Sequence, residues 1–334
     1  MTRAIISPSD LSQRTQEILE RVRAHEIDLG VEGSTRYNTS PDKLLEDRAE
    51  DDQLELFGQD AWTWGRATIT GGGRATFNDR WGNTFSPTVG LAVLLRDDLL
   101  ARGTVGRGFR APSFKELAWD FANVGAGYRI QGFADLEPEH SWSGSLGVDW
   151  APSSALRLTL EAYNNEIYDL IESAFIGSDS NGLLIYSPRN VSRARTRGLE
   201  AGASVRWGRA RVQADYALLD ARSIGDDVPL DRRARHSGRL RVGSDFDVSR
   251  GLGIDVTTHV IGDAARVGEN AQGQPAQIGR QDALLRVDAQ MTLDMPMGLR
   301  AILGVDNLLD TRADGWESVI ARRFRAGLEA QDLF

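Results

Sequence analysis

Apolar and polar residues alternate with period two over long stretches of this chain. Trp142, Gly144, Leu146, Val148 and Trp150 interleave with Ser141, Ser143, Ser145, Gly147 and Asp149. Leu156, Leu158, Leu160 and Ala162 interleave with Arg157, Thr159, Glu161 and Tyr163. Leu199, Ala201, Ala203, Val205 and Trp207 interleave with Glu200, Gly202, Ser204 and Arg206. The same pattern recurs from Leu285 to Leu293 and from Phe324 to Leu328. Successive side chains of a strand point to opposite faces, so each run predicts a strand with one apolar and one polar face. Helical spacing fits none of these segments. Strands are predicted near 26–37, 53–64, 67–77, 85–95, 99–109, 140–150, 155–170, 192–207, 210–220, 236–247, 252–262, 283–294, 299–309 and 318–331, about 14 in all. Residues 15–23 read as a further broken strand, or as a short helix capped by Ser12.

The connections alternate in length. Short ones fall at Gly65-Arg66, Arg96–Asp98, Ala151–Ser154, Gly208-Arg209, Ser249–Gly251 and Pro296–Gly298. Longer ones fall at Asn38–Asp52, Asn78–Thr84, Arg110–Glu139, Ile171–Val191, Ala221–Arg235, Asp263–Asp282 and Thr311–Glu317. Tight turns at one end and long loops at the other are the pattern of an antiparallel transmembrane β-barrel. A β-sandwich would need shorter strands and more frequent turn signals.

Composition changes this picture in three ways. Hydrophobic residues make up 41 % of the 334 and mean hydropathy is −0.35. No run approaches the ~18 apolar residues of a membrane helix. A hydropathy scan alone would class the chain as soluble, yet barrel strands average a lipid-facing and a polar face to the same value. Cysteine is absent, which excludes disulfides and thiolate-bound metal. Net charge is −9, which argues against nucleic acid as a partner. Trp142 and Trp150 share a face and stand eight residues apart, roughly 26 Å along a strand. That spacing suits the two rims of an apolar band, where aromatic residues collect. Trp62, Trp64 and Trp207 also fall at strand ends beside short turns.

Catalytic chemistry is not expected. None of His25, His140, His236 and His259 is paired at metal-ligand spacing, so neither a metal nor a cofactor is predicted. His140 and Ser141 are adjacent in a strand and point to opposite faces, which prevents nucleophile and base from acting together. Gly71-Gly72-Gly73 is followed by no P-loop lysine. The acidic run Glu46, Asp47, Glu50, Asp51 and Asp52 lacks the ligand pattern of an EF-hand and reads as a solvated loop.

Strand parity places Arg157, Arg206, Arg239, Arg241, Arg286, Arg300, Arg323 and Arg325 on the inner face. Asp149, Glu161, Glu200, Asp215, Asp255, Asp288 and Glu329 share it. Two readings stay open: a lattice of cross-strand ion pairs that also meets a plug, or an arginine-rich conduit for an anionic ligand.

The stretch Val105–Ser141 reads VGRGFRAPSFKELAWDFANVGAGYRIQGFADLEPEHS, and Gly304–Asp310 reads GVDNLLD. These segments resemble TonB-dependent outer-membrane receptors, in which a "GFRAPS..KEL" segment closes one barrel strand and an "L.PE.S" segment opens the next. The resemblance covers roughly residues 25–334. Its motif positions are Arg110, Pro112, Glu116, Pro138, Glu139, Asp306, Asn307 and the terminal Phe334. It implies the carboxy-terminal part of a barrel of about 22 strands, with a plug domain and the first strands lying upstream. Residues 1–24 would then be a lead-in and 25–334 barrel. The lead-in shows neither the apolar core nor the cleavage site of a signal peptide, so the expectation is that either a signal has been removed or the chain is part of a longer polypeptide.

The function the resemblance implies is uptake of a scarce, bulky nutrient across a Gram-negative type outer membrane. The nutrient would be of the ferric siderophore or cobalamin class. The partners implied are outer-membrane lipid, the TonB complex reached through the upstream part, the barrel-assembly machinery, and a small-molecule ligand such as a metal chelate. Ligand contacts are expected from the loops 110–139, 171–191 and 263–282, with Trp119, Phe121, Tyr128, Arg129 and Phe133 as candidates because flat ligands stack on rings. The alternative is a passive pore or structural barrel with no energy coupling.

Overall fold

The computed structural model describes residues 25–39, 48–246, 251–270, 274–312 and 321–330. Its strands in chain order are β1 (His25–Thr39), β2 (Arg48–Trp64), β3 (Ala67–Asn78), β4 (Gly82–Arg96), β5 (Leu99–Arg110), β6 (Asp120–Asn123), β7 (Tyr128–Gln131), β8 (Glu139–Ser153), β9 (Leu156–Ser178) and β10 (Leu184–Trp207). They continue as β11 (Ala210–Ser223), β12 (Val228–Pro229), β13 (His236–Phe246), β14 (Leu252–Ile261), β15 (Ala264–Glu269), β16 (Pro275–Gln281), β17 (Leu284–Met295), β18 (Leu299–Asp306) and β19 (Arg323–Ala330). A short α-helix, α1 (Phe114–Ala118), lies between β5 and β6.

β6, β7, β12, β15 and β16 are short and belong to the connections. The other fourteen pair antiparallel, each with the next along the chain, and coincide with the segments that alternation predicts. The wall is inverted relative to a soluble sheet. Leu146 is 73 % exposed, and Leu29, Val31, Leu160, Leu199 and Leu328 are exposed with it. Their polar neighbours face the other way and pair with one another. Among the described residues, β1 has a register with β2 alone and β19 with β18 alone. These two strands are also the most exposed in the wall.

The two-residue turns cluster at one end. Gly65 (φ 58°) and Gly208 (φ 59°) open two-residue hairpins in the left-handed backbone that such turns require. Exposed Trp64 and Trp207 stand beside them.

The loop end departs from the expected boundaries. Ile171–Val191, expected as a loop, is mostly strand: β9 and β10 stay paired to Ser178 and Leu184. Asp169 has a left-handed φ of 57° and the register shifts between Ile185 and Tyr186, so the alternation that marks a strand is broken there. Asn78–Thr84 contracts to a tight turn in which Asn78 Oδ1 accepts the N–H groups of Arg80 and Trp81 at 2.9 and 2.8 Å. Asp263–Asp282 contains the β15–β16 hairpin. The stretch 15–23, the rest of the 1–24 lead-in, and Phe334 lie outside the described residues.

Candidate functional site

The long connection 111–138 folds as a unit over the loop end of the wall. Ser113 caps α1: its hydroxyl accepts the Glu116 N–H at 3.3 Å, and Glu116 accepts the Ser113 N–H at 2.7 Å. This reciprocal box satisfies two free helix-end donors. The signal was present in the sequence as Ser113-Phe114-Lys115-Glu116. Leu117, on the inner side of α1, packs with Leu136 and Ile171 in a small buried cluster beside Trp81. Gly132 runs directly under the turn after α1; a Cβ there would stand 2.7 Å from backbone atoms of Leu117 and Ala118, so no other residue fits.

The motif residues close this unit. Arg110 donates to Glu116 at 3.1 Å and to Glu139, its register partner across β5 and β8. Glu139 also accepts the Ile171 N–H at 2.8 Å. Both feet of the loop are therefore tied to each other and to β9. Asn190 on β10 completes the tie. Its side chain accepts the Glu137 N–H at 2.8 Å and donates to the carbonyls of Glu137 and Asp169. β7 then pairs in parallel with the top of β10. Neither Asn190 nor this pairing was legible from alternation.

The five aromatic and arginine candidates sit on this unit. Trp119 and Phe121 meet edge to face at 6.3 Å, and Lys115 lies 4.8 Å over the Trp119 ring. Arg129 makes two bonds to Asp120, at 2.6 and 2.5 Å, across the β6–β7 hairpin. Its charge is thus engaged within the loop. Asn123 donates to the Tyr128 hydroxyl at 3.4 Å, and Phe133 is exposed.

A cleft of about 430 Å³ opens beside this unit, between the upper parts of β9 and β10, the connection 224–235 and the β15–β16 hairpin. Phe175, Tyr186, Arg189, Leu230, Arg232 and Arg266 line it. Phe175 and Tyr186 stack edge to face at 5.9 Å. The connection is seated by Leu230, which packs against Ala194 and Ala221. The hairpin is held by the Arg232 N–H on the Ala265 carbonyl at 2.9 Å and the Val267 N–H on Asp231 at 2.7 Å. Glu172 lies at its edge. Burial pushes its carboxyl above the ordinary range, Asp231 adds to this, and Arg189 and Arg233 oppose it. These residues come from three separate connections, which is why sequence inspection did not group them.

On the polar face of the wall most of the expected arginines are paired. Arg239 donates to Asp215 at 2.7 Å, Arg241 to Asp255 at 3.0 Å, Arg286 to Asp288 at 2.9 Å and Arg300 to Asp294 at 2.6 Å. Arg323 and Arg325 both reach Asp306 at 2.9 Å. Arg102, absent from the parity set, bridges Asp149 at 3.0 Å and Glu161 at 2.6 Å. Arg157 and Arg206 show no such partner among the described residues, and Arg206 stands opposite Arg211. The geometry favours the ion-pair lattice over a continuous free-arginine conduit. Asn307 sits just beyond Asp306 with a left-handed φ of 53°, which asparagine tolerates well. Its amide closes the turn through Thr311, accepting at 3.0 Å and donating at 3.1 Å.

A family model described as TonB dependent receptor-like, beta-barrel, matches residues 22–308. This chain belongs to the TonB-dependent receptor family. An iron-regulated outer membrane virulence protein of Vibrio cholerae is 31 % identical over 193 residues, covering 54 % of this chain and 29 % of the relative. The vitamin B12 transporter BtuB of Vibrio vulnificus is 27 % identical over 223 residues, covering 66 % and 32 %. Among solved structures, the ferric enterobactin receptor PfeA of Pseudomonas aeruginosa superposes with a TM-score of 0.73 at 17 % identity, covering 91 % of this chain and 50 % of that one. The siderophore receptor PirA of Acinetobacter baumannii gives 0.70 at 15 %, covering 91 % and 52 %. The chain spans about half the length of the solved receptors it matches. As a TonB-dependent receptor barrel it lies in the outer membrane, its exposed apolar face toward lipid and its paired polar face toward the lumen.

Proposed function

We propose that this chain is the carboxy-terminal barrel portion of a receptor that takes up a bulky nutrient of the ferric siderophore or cobalamin class, driven by the TonB complex. The cleft between the three outer connections carries this reading. It combines stacking rings, Phe175 and Tyr186, with the cations Arg189, Arg232 and Arg266, which suits a flat ligand bearing oxygen anions. Trp119, Phe121, Tyr128 and Phe133 of the neighbouring unit extend the aromatic surface, while Arg129 serves the loop. The upstream part of the receptor supplies the plug and the contact with TonB, and β1 and β19 meet its strands. The barrel-assembly machinery inserts the whole.

The test is binding of radiolabelled ferric enterobactin and of cyanocobalamin to cells that produce the complete receptor. F175A and R232A should weaken binding of one of the two about tenfold or more, because a base-like or catecholate ring stacked on an aromatic contributes ~1–3 kcal/mol. Unchanged binding of whichever ligand the wild type takes up would overturn the assignment to this cleft. No saturable binding of either would overturn the ligand class.

A further inference from the structure

The loop-end rim of the lipid-facing side carries a charged patch that the uptake reading does not use. Arg107, Arg193, Arg195, Arg197 and Arg222 alternate with the polar-face residues and share the outward parity of Leu146 and Leu199. They lie on β5, β10 and β11. The strands β13, β17, β18 and β19 instead turn their arginines to the polar face, onto Asp215, Asp255, Asp288, Asp294 and Asp306.

Register places the patch in order. Arg107 opposes Trp142, Trp142 opposes Glu166, Glu166 opposes Arg195, and Arg195 opposes Arg222. Arg107 and Arg195 are thus three strand spacings apart, roughly 14 Å. Acids neutralise part of the row: Arg193 donates to Glu166 and Arg197 to Asp220, each at 2.9 Å, and Arg222 bonds Asp227 at 2.9 Å. Among the described residues Arg107 meets no carboxylate; its contacts there are the Phe85 carbonyl and His140. Arg195 approaches Asp220 only at 3.8 Å, and Arg197 already holds that carboxylate. The Nε–H groups of Arg195 and Arg222 are buried without an acceptor among the described residues.

Directly below this row the wall is hollowed. An apolar groove of about 740 Å³ runs over β4, β5, β8 and β9, lined by Leu91, Gly103, Val105, Gly144, Leu146 and Ala162. Its upper end reaches Asn164, whose register partner is Arg197.

We propose that this face binds a phosphorylated lipid of the outer leaflet. Its phosphate groups meet Arg107 and Arg195 at the rim, and an acyl chain lies in the groove. Guanidinium groups pair with phosphate oxygens through two parallel bonds, which gives the row its selectivity. Position names the source of the phosphate. The groove lies within the apolar band, and the arginines lie beside Trp142 at its outer edge, where lipid headgroups are found.

The test uses the folded receptor extracted from outer membranes, mixed in detergent with diphosphoryl lipid A or its dephosphorylated form and read by native mass spectrometry. The double variant R107Q/R195Q should lose bound diphosphoryl lipid at least roughly tenfold, at about fivefold per arginine near a charged lipid surface. G144L should lose it as well. A Cβ at Gly144 meets only the Thr104 carbonyl oxygen, at 3.6 Å, so the larger side chain extends into the groove without straining the wall. R239Q, on the polar face, should bind as the wild type does. Only protein in the heat-modifiable, folded band is compared. Equal occupancy in wild type and R107Q/R195Q overturns the proposal. So does equal binding of the dephosphorylated lipid, or displacement by millimolar inorganic phosphate, which would mark a plain anion site.

Discussion

Arg110 touches two carboxylates, one on each foot of the outer connection, and neither foot is held as well without it. Its side chain is about half exposed, so solvent discounts the pair. We expect R110Q to cost about 1–2 kcal/mol and to speed tryptic cleavage at Lys115 and Arg129 while the barrel remains heat-modifiable. Slow cleavage unchanged from wild type would show that Asn190 alone secures the loop. Glu116 makes the same point in pH. Burial works against its charge, but the Ser113 N–H and hydroxyl and the Arg110 guanidinium outweigh it and hold the carboxyl below the ordinary range. A depressed carboxyl contributes stability that is present above its unfolded value of ~4.3 and lost as pH falls through the lower folded value. Protease protection of 111–138 should therefore decline in acid below that range, and E116Q should show the acid-state cleavage rate at neutral pH. Glu172 has the opposite sign. Its raised carboxyl contributes stability that is present below the unfolded value and lost as pH rises through the folded one. E172Q should tighten the outer cleft at neutral pH, read as slower hydrogen exchange in 172–178.

At the scale of the element, one strand carries two environments, and a shift of one residue exchanges them. Leu146, Leu158, Val205 and Leu293 belong to the lipid side; Ser145 and Thr292 are their lumen neighbours. Arginine at Leu146, midway between Trp142 and Trp150, should cost about 2–4 kcal/mol, and less at Leu158, Val205 and Leu293, which pair close to the tight turns; arginine at the lumen neighbours Ser145 and Thr292 should cost less than at Leu146 and Leu293 respectively. Urea titration of the folded barrel in vesicles measures the difference. Equal destabilisation by both series would mean that the parity is wrong. The upper halves of β9 and β10 follow a different rule. Beyond Asp169, with its left-handed φ, they lose the clean alternation and become part of the outer cleft.

For the whole molecule, the two-residue turns at Gly65 and Gly208 lie at one end and the built-up loops at the other. Cysteines at Ser153 and Asp179 report which end is outside. In intact cells producing the complete receptor, an impermeant maleimide should label S-to-C substitution at 153 poorly and D-to-C substitution at 179 readily. The reverse pattern would invert the orientation and move the outer cleft to the periplasm. The exposed strands β1 and β19 set a second property of the whole. Backbone groups without partners are costly in lipid, so these two strands should insert stably only beside further strands.

The strands, their faces and their order were determined by sequence alone, because a wall one residue thick writes its two solvents directly into a period of two. Arg110 and Glu139 were legible too, as a motif at the two ends of one connection, though not as an ion pair. The capping box on α1 could have been read from Ser113 and Glu116. The tertiary structure decided the rest. Phe175, Arg232 and Arg266 stand on three connections far apart in sequence, and only the side-by-side pairing of the strands from β9 to β17 brings them around one cleft. Arg107, Arg195 and Arg222 join in one row because strand register fixes it, and register depends on backbone pairing that no single strand encodes. Local alternation records which face a side chain takes; which distant side chains share a patch follows only from how the strands pair.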